Sequence, residues 1–124
     1  MRRRSIVLLS VLIVLIAATG CSSSTKPKAS KAFCLAADRY NTELERELRL
    51  GKIDAQRQAK LADELARTAP KSIKRDAQVF ADALHRVQND PSFKKDDPKV
   101  KQAADNVNRL ANQACGVYDR KGGI

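Results

Sequence analysis

Apolar residues in this chain recur at steps of three and four through four separate stretches, and almost half of the positions on those stripes are alanine. That pattern restricts the chain more than any other feature, because a stripe repeating every 3.6 residues must be the buried face of an amphipathic helix. The first stripe is Phe33, Ala37, Tyr40, Leu44 and Leu48, in a helix expected over 31–50 with Gly51 as its C-cap. The second is Ala55, Ala59, Ala62, Leu65, Ala66 and Ala69, after Asp54 as a candidate N-cap, with Leu61 off the main face. Pro70 ends that segment and is expected to open the third, whose stripe is Ile73, Ala77, Phe80, Ala81, Leu84 and Val87. Asp90-Pro91 and Asp97-Pro98 interrupt the periodicity, since the residue before a proline avoids the helical region. Asp97 and Pro98 then suit the N-cap and first position of a fourth helix with the stripe Val100, Ala104, Val107, Leu110, Ala111 and Ala114, stopped by Gly116. Few β-branched residues and hardly any glycine fall inside these stretches, which argues against a sandwich, a barrel or a nucleotide-binding α/β domain. The expected fold is all-α, a small bundle of three or four helices.

Four acid–arginine pairs sit four residues apart in the favourable order, one in each helix: Glu45 with Arg49, Asp63 with Arg67, Asp82 with Arg86, and Asp105 with Arg109. Each is expected to add ~0.2–0.5 kcal/mol to its own helix. A solvated helix face accounts for these carboxylates, so they are not candidates for paired acid–base chemistry.

The segment before the helices has a different character. Arg2, Arg3 and Arg4 precede a run from Ile6 to Ala18 that is apolar except for Ser10, and small residues follow. This is the three-part layout of a secretory signal peptide over 1–20, and its thirteen-residue run falls short of the ~20 apolar residues needed to span a bilayer. The run ends Ala17-Ala18-Thr19-Gly20-Cys21, which resembles the lipobox of bacterial lipoproteins, with Ala18 where that family most often has leucine. The resemblance implies cleavage before Cys21, palmitate-type acylation of that cysteine, and a lipid anchor at the extracytoplasmic face of the cell membrane. Two acyl chains make a stable anchor where one is marginal, at ~0.8 kcal/mol per buried CH₂. Residues 21–30 then read as a flexible basic tether, 31–118 as the helical domain and 119–124 as a frayed tail.

Export also changes what the other cysteines mean. Cys34 lies in the first turn of the first helix and Cys115 in the last turn of the fourth, so an up-down-up-down bundle brings them to one end. An oxidising compartment lets them pair. Two free thiols or a metal pair are the competing readings, but one histidine and two cysteines separated by 81 positions lack both the spacing and the number of donors that zinc takes. A disulfide between Cys34 and Cys115 is the expectation.

Catalytic constellations are not found. His85, the single histidine, sits at the edge of the third stripe, and the chain has no Gly-x-Ser-x-Gly elbow, phosphate-binding glycine loop or His-Glu-x-x-His. No catalytic, cofactor-binding or metal-binding residues are assigned, and the chain is not expected to be an enzyme. After the signal segment, 21 basic side chains face 14 acidic ones, a net of +7. Lys71, Lys74 and Arg75 form one basic cluster, and Lys94, Lys95, Lys99 and Lys101 another. Without interleaved aromatic residues to stack on bases, nucleic acid is not the expected partner; anionic lipid head groups or an acidic envelope polymer match the same charges better. The layout of Phe33-Cys34, Ala69-Pro70, Ile73-Lys74, Asn106-Val107 and Ala114-Cys115-Gly116 resembles uncharacterised small helical lipoproteins of actinobacteria. That resemblance implies an envelope-attached, non-enzymatic binding or structural module. The alternative is an exported carrier of a small apolar ligand such as haem or lipid, for which Tyr40, His85 and Tyr118 are the candidate iron ligands and which requires the helices to splay.

Overall fold

A computed structural model describes residues 27–90, 92–94 and 96–117. The expected signal peptide, Cys21, Pro91, Lys95, Tyr118 and residues 119–124 lie outside the described residues. The described chain is all-helical: α1 (Lys31–Leu50), α2 (Ala55–Thr68), α3 (Lys74–Asn89) and α4 (Pro98–Cys115). Each helix packs on its neighbour in sequence, and α1 also meets α4, closing a four-helix bundle.

Most of the termini follow from local chemistry. The Ser30 hydroxyl accepts from the Phe33 N–H at 3.1 Å, and the Asp54 carboxylate accepts from the Arg57 N–H at 3.0 Å. Asp97 accepts from the Lys99 N–H at 2.8 Å, with Pro98 in the first helical position where its missing N–H costs nothing. Gly51 and Gly116 end α1 and α4 with φ of 64° and 61°, a left-handed conformation that other residues adopt at a cost.

The start of α3 differs from the expectation. Pro70 does not open the helix; Lys71 to Ile73 form a turn, with the Ile73 N–H donating to Pro70 O at 3.1 Å, and α3 begins at Lys74. The turn lets Ile73 put its side chain into the core, 8 % exposed, while the Lys74 ammonium donates to Arg67 O at 2.7 Å. A cation on the last carbonyls of α2 does there what a C-terminal glycine does in α1 and α4.

The core consists of Phe33, Ala36, Ala37, Ala62, Leu65, Ala66, Ala69, Ile73, Ala77, Ala81, Val107, Leu110, Ala111 and Val117, all but Ala36 and Val117 on the four stripes. The helical members come from the first half of α1, the second half of α2, the first half of α3 and the second half of α4, and Ala69, Ile73 and Val117 lie just beyond those helix ends. In an up-down-up-down bundle those are the same end. Cys34 and Cys115 are joined there by a disulfide, with Cα atoms 5.3 Å apart.

Candidate functional site

At the other end the helices are less closely packed. Tyr40 and Phe80 meet edge to face, centroids 5.5 Å apart, near the middle of the bundle. From that pair towards the α1–α2 and α3–α4 connections runs a half-open cleft of about 770 Å³. Tyr40 and Leu44 line it from α1, Ala55 and Gln58 from α2, Phe80, Ala83, Leu84 and Val87 from α3, and Val100, Lys101 and Ala104 from α4. Ile53, Phe93 and Asp96 complete the rim. Helices facing one another through Ala55, Ala83 and Ala104 have little side chain to fill the gap that two aromatic rings hold open. Tyr40, Leu44, Phe80, Leu84 and Val100, read from the sequence as core, are half-buried walls of this cleft.

One polar cluster borders the apolar walls. Glu47 is 3 % exposed, where the stripe had placed Leu48; Leu48 is 58 % exposed. The Glu47 carboxylate accepts through Oε2 from the Asp54 N–H and from Gln58 Nε2, both at 3.0 Å, and Arg57 stands 4.0 Å from Oε1. Glu47 therefore holds the α1–α2 corner from inside, satisfying a backbone donor that the short connection leaves without a helical partner. Gln58, also 3 % exposed, is fixed by its bond to Glu47, and its Oε1 has no hydrogen-bond partner. Sequence reasoning missed both residues. The signal for Gln58 was its register, three residues after Ala55 and four before Ala62, a polar side chain in an apolar slot.

The corner also exposes apolar side chains. Leu48, Leu50 and Ile53 are 58 %, 68 % and 54 % exposed and alternate with Arg49 and Lys52. Lys94, Lys99 and Lys101 lie exposed at the same end of the bundle.

His85 does not reach the cleft. Its Nε2–H donates to both carboxylate oxygens of Asp63, at 2.8 and 2.9 Å, tying α3 to α2 on the surface. Asp63 thus binds between helices, where the sequence had suggested a pair with Arg67. Arg39 similarly reaches Glu64 on α2 at 3.0 Å. Arg86 lies 4.5 Å from the centroid of Phe93 and 4.0 Å from Asp90, anchoring the α3–α4 loop. Of the three candidate iron ligands, Tyr40 lines the cleft, His85 lies elsewhere and Tyr118 is outside the described residues.

A shallower hollow of about 430 Å³ in the α3–α4 loop contains Asp90, Asp96 and Asp97. Asp90 accepts from the N–H and hydroxyl of Ser92, which hold its carboxyl below the usual range, and Asp97 is the α4 cap. No group of three or more metal-ligating side chains occurs among the described residues. None of the described helices is long and apolar enough to cross a membrane. No protein-family model matches the chain, and neither a curated protein nor a solved structure shows significant similarity to it.

Proposed function

We propose that the chain is a lipid-anchored extracytoplasmic lipoprotein whose helical domain is a non-enzymatic binding module, with the apolar cleft as its binding element. The observation that carries this reading is the cavity of about 770 Å³ at the end of the bundle away from the Cys34–Cys115 bridge. Its volume falls within the ~300–1,000 Å³ typical of small-molecule sites, and its walls are mainly aliphatic and aromatic with a few polar groups at one end. The cleft favours the carrier form of the reading over a purely structural one. Lipid suits the lining better than haem, because Tyr40 is the single iron-ligating side chain among the lining residues.

The anchor rests on the sequence: the Arg-rich start, the apolar run and Ala17-Ala18-Thr19-Gly20-Cys21. Arg49 and Lys52, alternating with exposed leucine and isoleucine at the α1–α2 corner, suit contact with anionic lipid head groups. The domain should then bind anionic vesicles, more weakly as salt rises, and neutral vesicles less well.

The test is the intact mass of the protein from the membrane fraction together with mass spectrometry of its organic extract. A chain beginning at an acylated Cys21, with a stoichiometric lipid in the extract, is the expected result. An unacylated chain removes the anchor from this reading, and an extract without co-purifying lipid counts against the carrier.

A further inference from the structure

Four large apolar side chains are more than half exposed among the described residues, and three of them, Leu48, Leu50 and Ile53, fall together at the α1–α2 corner. Glu47 takes the inward slot of the last turn of α1, so Leu48 turns out. Gly51, with φ of 64°, then reverses the chain and brings Ile53 to the mouth of the cleft, where it forms part of the rim. One side chain thus belongs both to the exposed tip and to the mouth. Arg49 and Lys52 are exposed and make no ion pair among the described residues. The acids beside them are engaged: Glu47 is enclosed, and Asp54 caps α2. Across the mouth Asp97 caps α4 and Asp90 is bound by Ser92, which leaves Asp96 against three exposed lysines, Lys94, Lys99 and Lys101. Aliphatic side chains flanked by arginine and lysine on a projecting corner match the surface of an anionic bilayer. There the apolar groups enter the boundary with the acyl chains while the long cationic stems reach back to the phosphates.

From this we infer that the open end of the bundle docks on an anionic phospholipid bilayer, with Leu48, Leu50 and Ile53 in the interface and the mouth of the cleft turned onto the head groups. The docking stands on the corner alone, while its use for the cleft rests on the cleft being the binding element. Anchoring at Cys21 permits this orientation. From Cys21 to Ser30 the chain reaches roughly 30 Å at full stretch. The 20 residues of α1 are about 30 Å long, so a tilted bundle lays the corner on the bilayer that holds the anchor.

The chain has no tryptophan, so Leu50→Trp introduces a single indole that reports the depth of the corner. Leu35→Trp, at a 56 % exposed position on α1 about 22 Å nearer the disulfide end, reports the other end of the bundle. Each full, disulfide-closed variant, with the N-terminus it carries as isolated, is reconstituted with phosphatidylglycerol or phosphatidylcholine vesicles whose acyl chains are brominated at known depths. In phosphatidylglycerol the Leu50→Trp indole is expected to lie ~5–10 Å below the head groups, to be quenched by bromine and to emit at shorter wavelength. The Leu35→Trp indole should stay in water, and phosphatidylcholine should leave both in water. Within Leu50→Trp, adding Arg49→Gln and Lys52→Gln should lower the ratio of docked to undocked protein about thirtyfold. Adding Leu48→Ser and Ile53→Ser instead should lower it at least about tenfold, with the helical circular dichroism kept. Equal quenching at the two positions overturns the orientation. Binding to phosphatidylglycerol with unshifted Leu50→Trp emission means adsorption by charge alone and overturns the inserted corner, and equal insertion into phosphatidylcholine overturns the anionic partner. No quenching at either position overturns the docking altogether, while the carrier reading still stands or falls on the lipid in the organic extract.

Discussion

The two ends of this bundle are made from the same four helices and nearly the same residue types, yet they differ in how their apolar faces are used. At the disulfide end Phe33, Leu65, Ile73, Leu110 and Val117 close over alanines at Ala36, Ala62, Ala77 and Ala111, all of them buried. At the other end the larger residues Tyr40, Leu44, Phe80, Leu84 and Val100 are only half-buried, and a cavity takes the place of a core. Alanine has opposite effects in the two settings. Where a covalent bridge and large partners bring helices together, it permits close approach. Where an edge-to-face aromatic pair holds them apart, it leaves space.

The largest expected effect comes from breaking the closed end. Replacing Cys34 and Cys115 with serine, or reducing the bridge, should lower stability by ~4.5 kcal/mol in the chain-entropy account for a loop of 81 residues. The loss should appear as a fall in thermal midpoint, read for the serine variant without reductant and for the wild-type protein with it. Phe33→Ala should cost ~3–5 kcal/mol, since its side chain is wholly enclosed. Leu84→Ala should cost ~1 kcal/mol, as a cleft wall already leaves that side chain partly unpacked. Chemical denaturation of the two variants side by side measures the contrast, and equal losses would mean that both ends are packed alike.

Adding volume should reverse the sign of the effect between the ends. Ala77→Leu inserts bulk at a position with no exposure and should destabilise by ~1–3 kcal/mol. Ala104→Leu extends into the cleft and should be neutral or stabilise by ~0.5–2 kcal/mol. The smallest effect is acid-dependent and lies in the α3–α4 loop. Hydrogen bonds from Ser92, and then the charge of Arg86, hold the Asp90 carboxyl below its ordinary range. Their contribution is fully present above the usual aspartate pKa and is lost as pH falls through the depressed value. Asp90→Asn should flatten a small part of the acid limb of the stability–pH curve, and an unchanged limb would show that the Ser92 contacts contribute nothing measurable.

The helices and the bridge were legible in the sequence because their signals are local or topological. Gly51, Asp54, Asp97-Pro98 and Gly116 mark termini by backbone chemistry, and the placement of Cys34 and Cys115 at one end follows from an even number of antiparallel helices. The start of α3 was less legible, because a lysine seven residues after Arg67 caps α2 and frees Ile73 to enter the core. Two other features could not be read from periodicity. A stripe states which face turns inward and not how much covers it, so Tyr40 and Phe33 look equivalent on α1 although one lines a cleft and the other is sealed. The exchange of Leu48 for Glu47 depends on the Asp54 N–H, which donates to Glu47 across the corner, a tertiary demand that no hydrophobic pattern contains. The intrahelical acid–arginine spacing supported the helices correctly, but Asp63 finds its short contact on the neighbouring helix, where His85 is better placed than Arg67.

The contrast between a sealed end and an open end is tested most directly by amide hydrogen exchange of the disulfide-closed protein, resolved by residue. The expected result is that amides in the second half of α2 and the second half of α4 exchange only through global unfolding, whereas those in the second half of α3 and the first half of α4 exchange faster through local opening. Uniform protection along α3 and α4 would contradict the account.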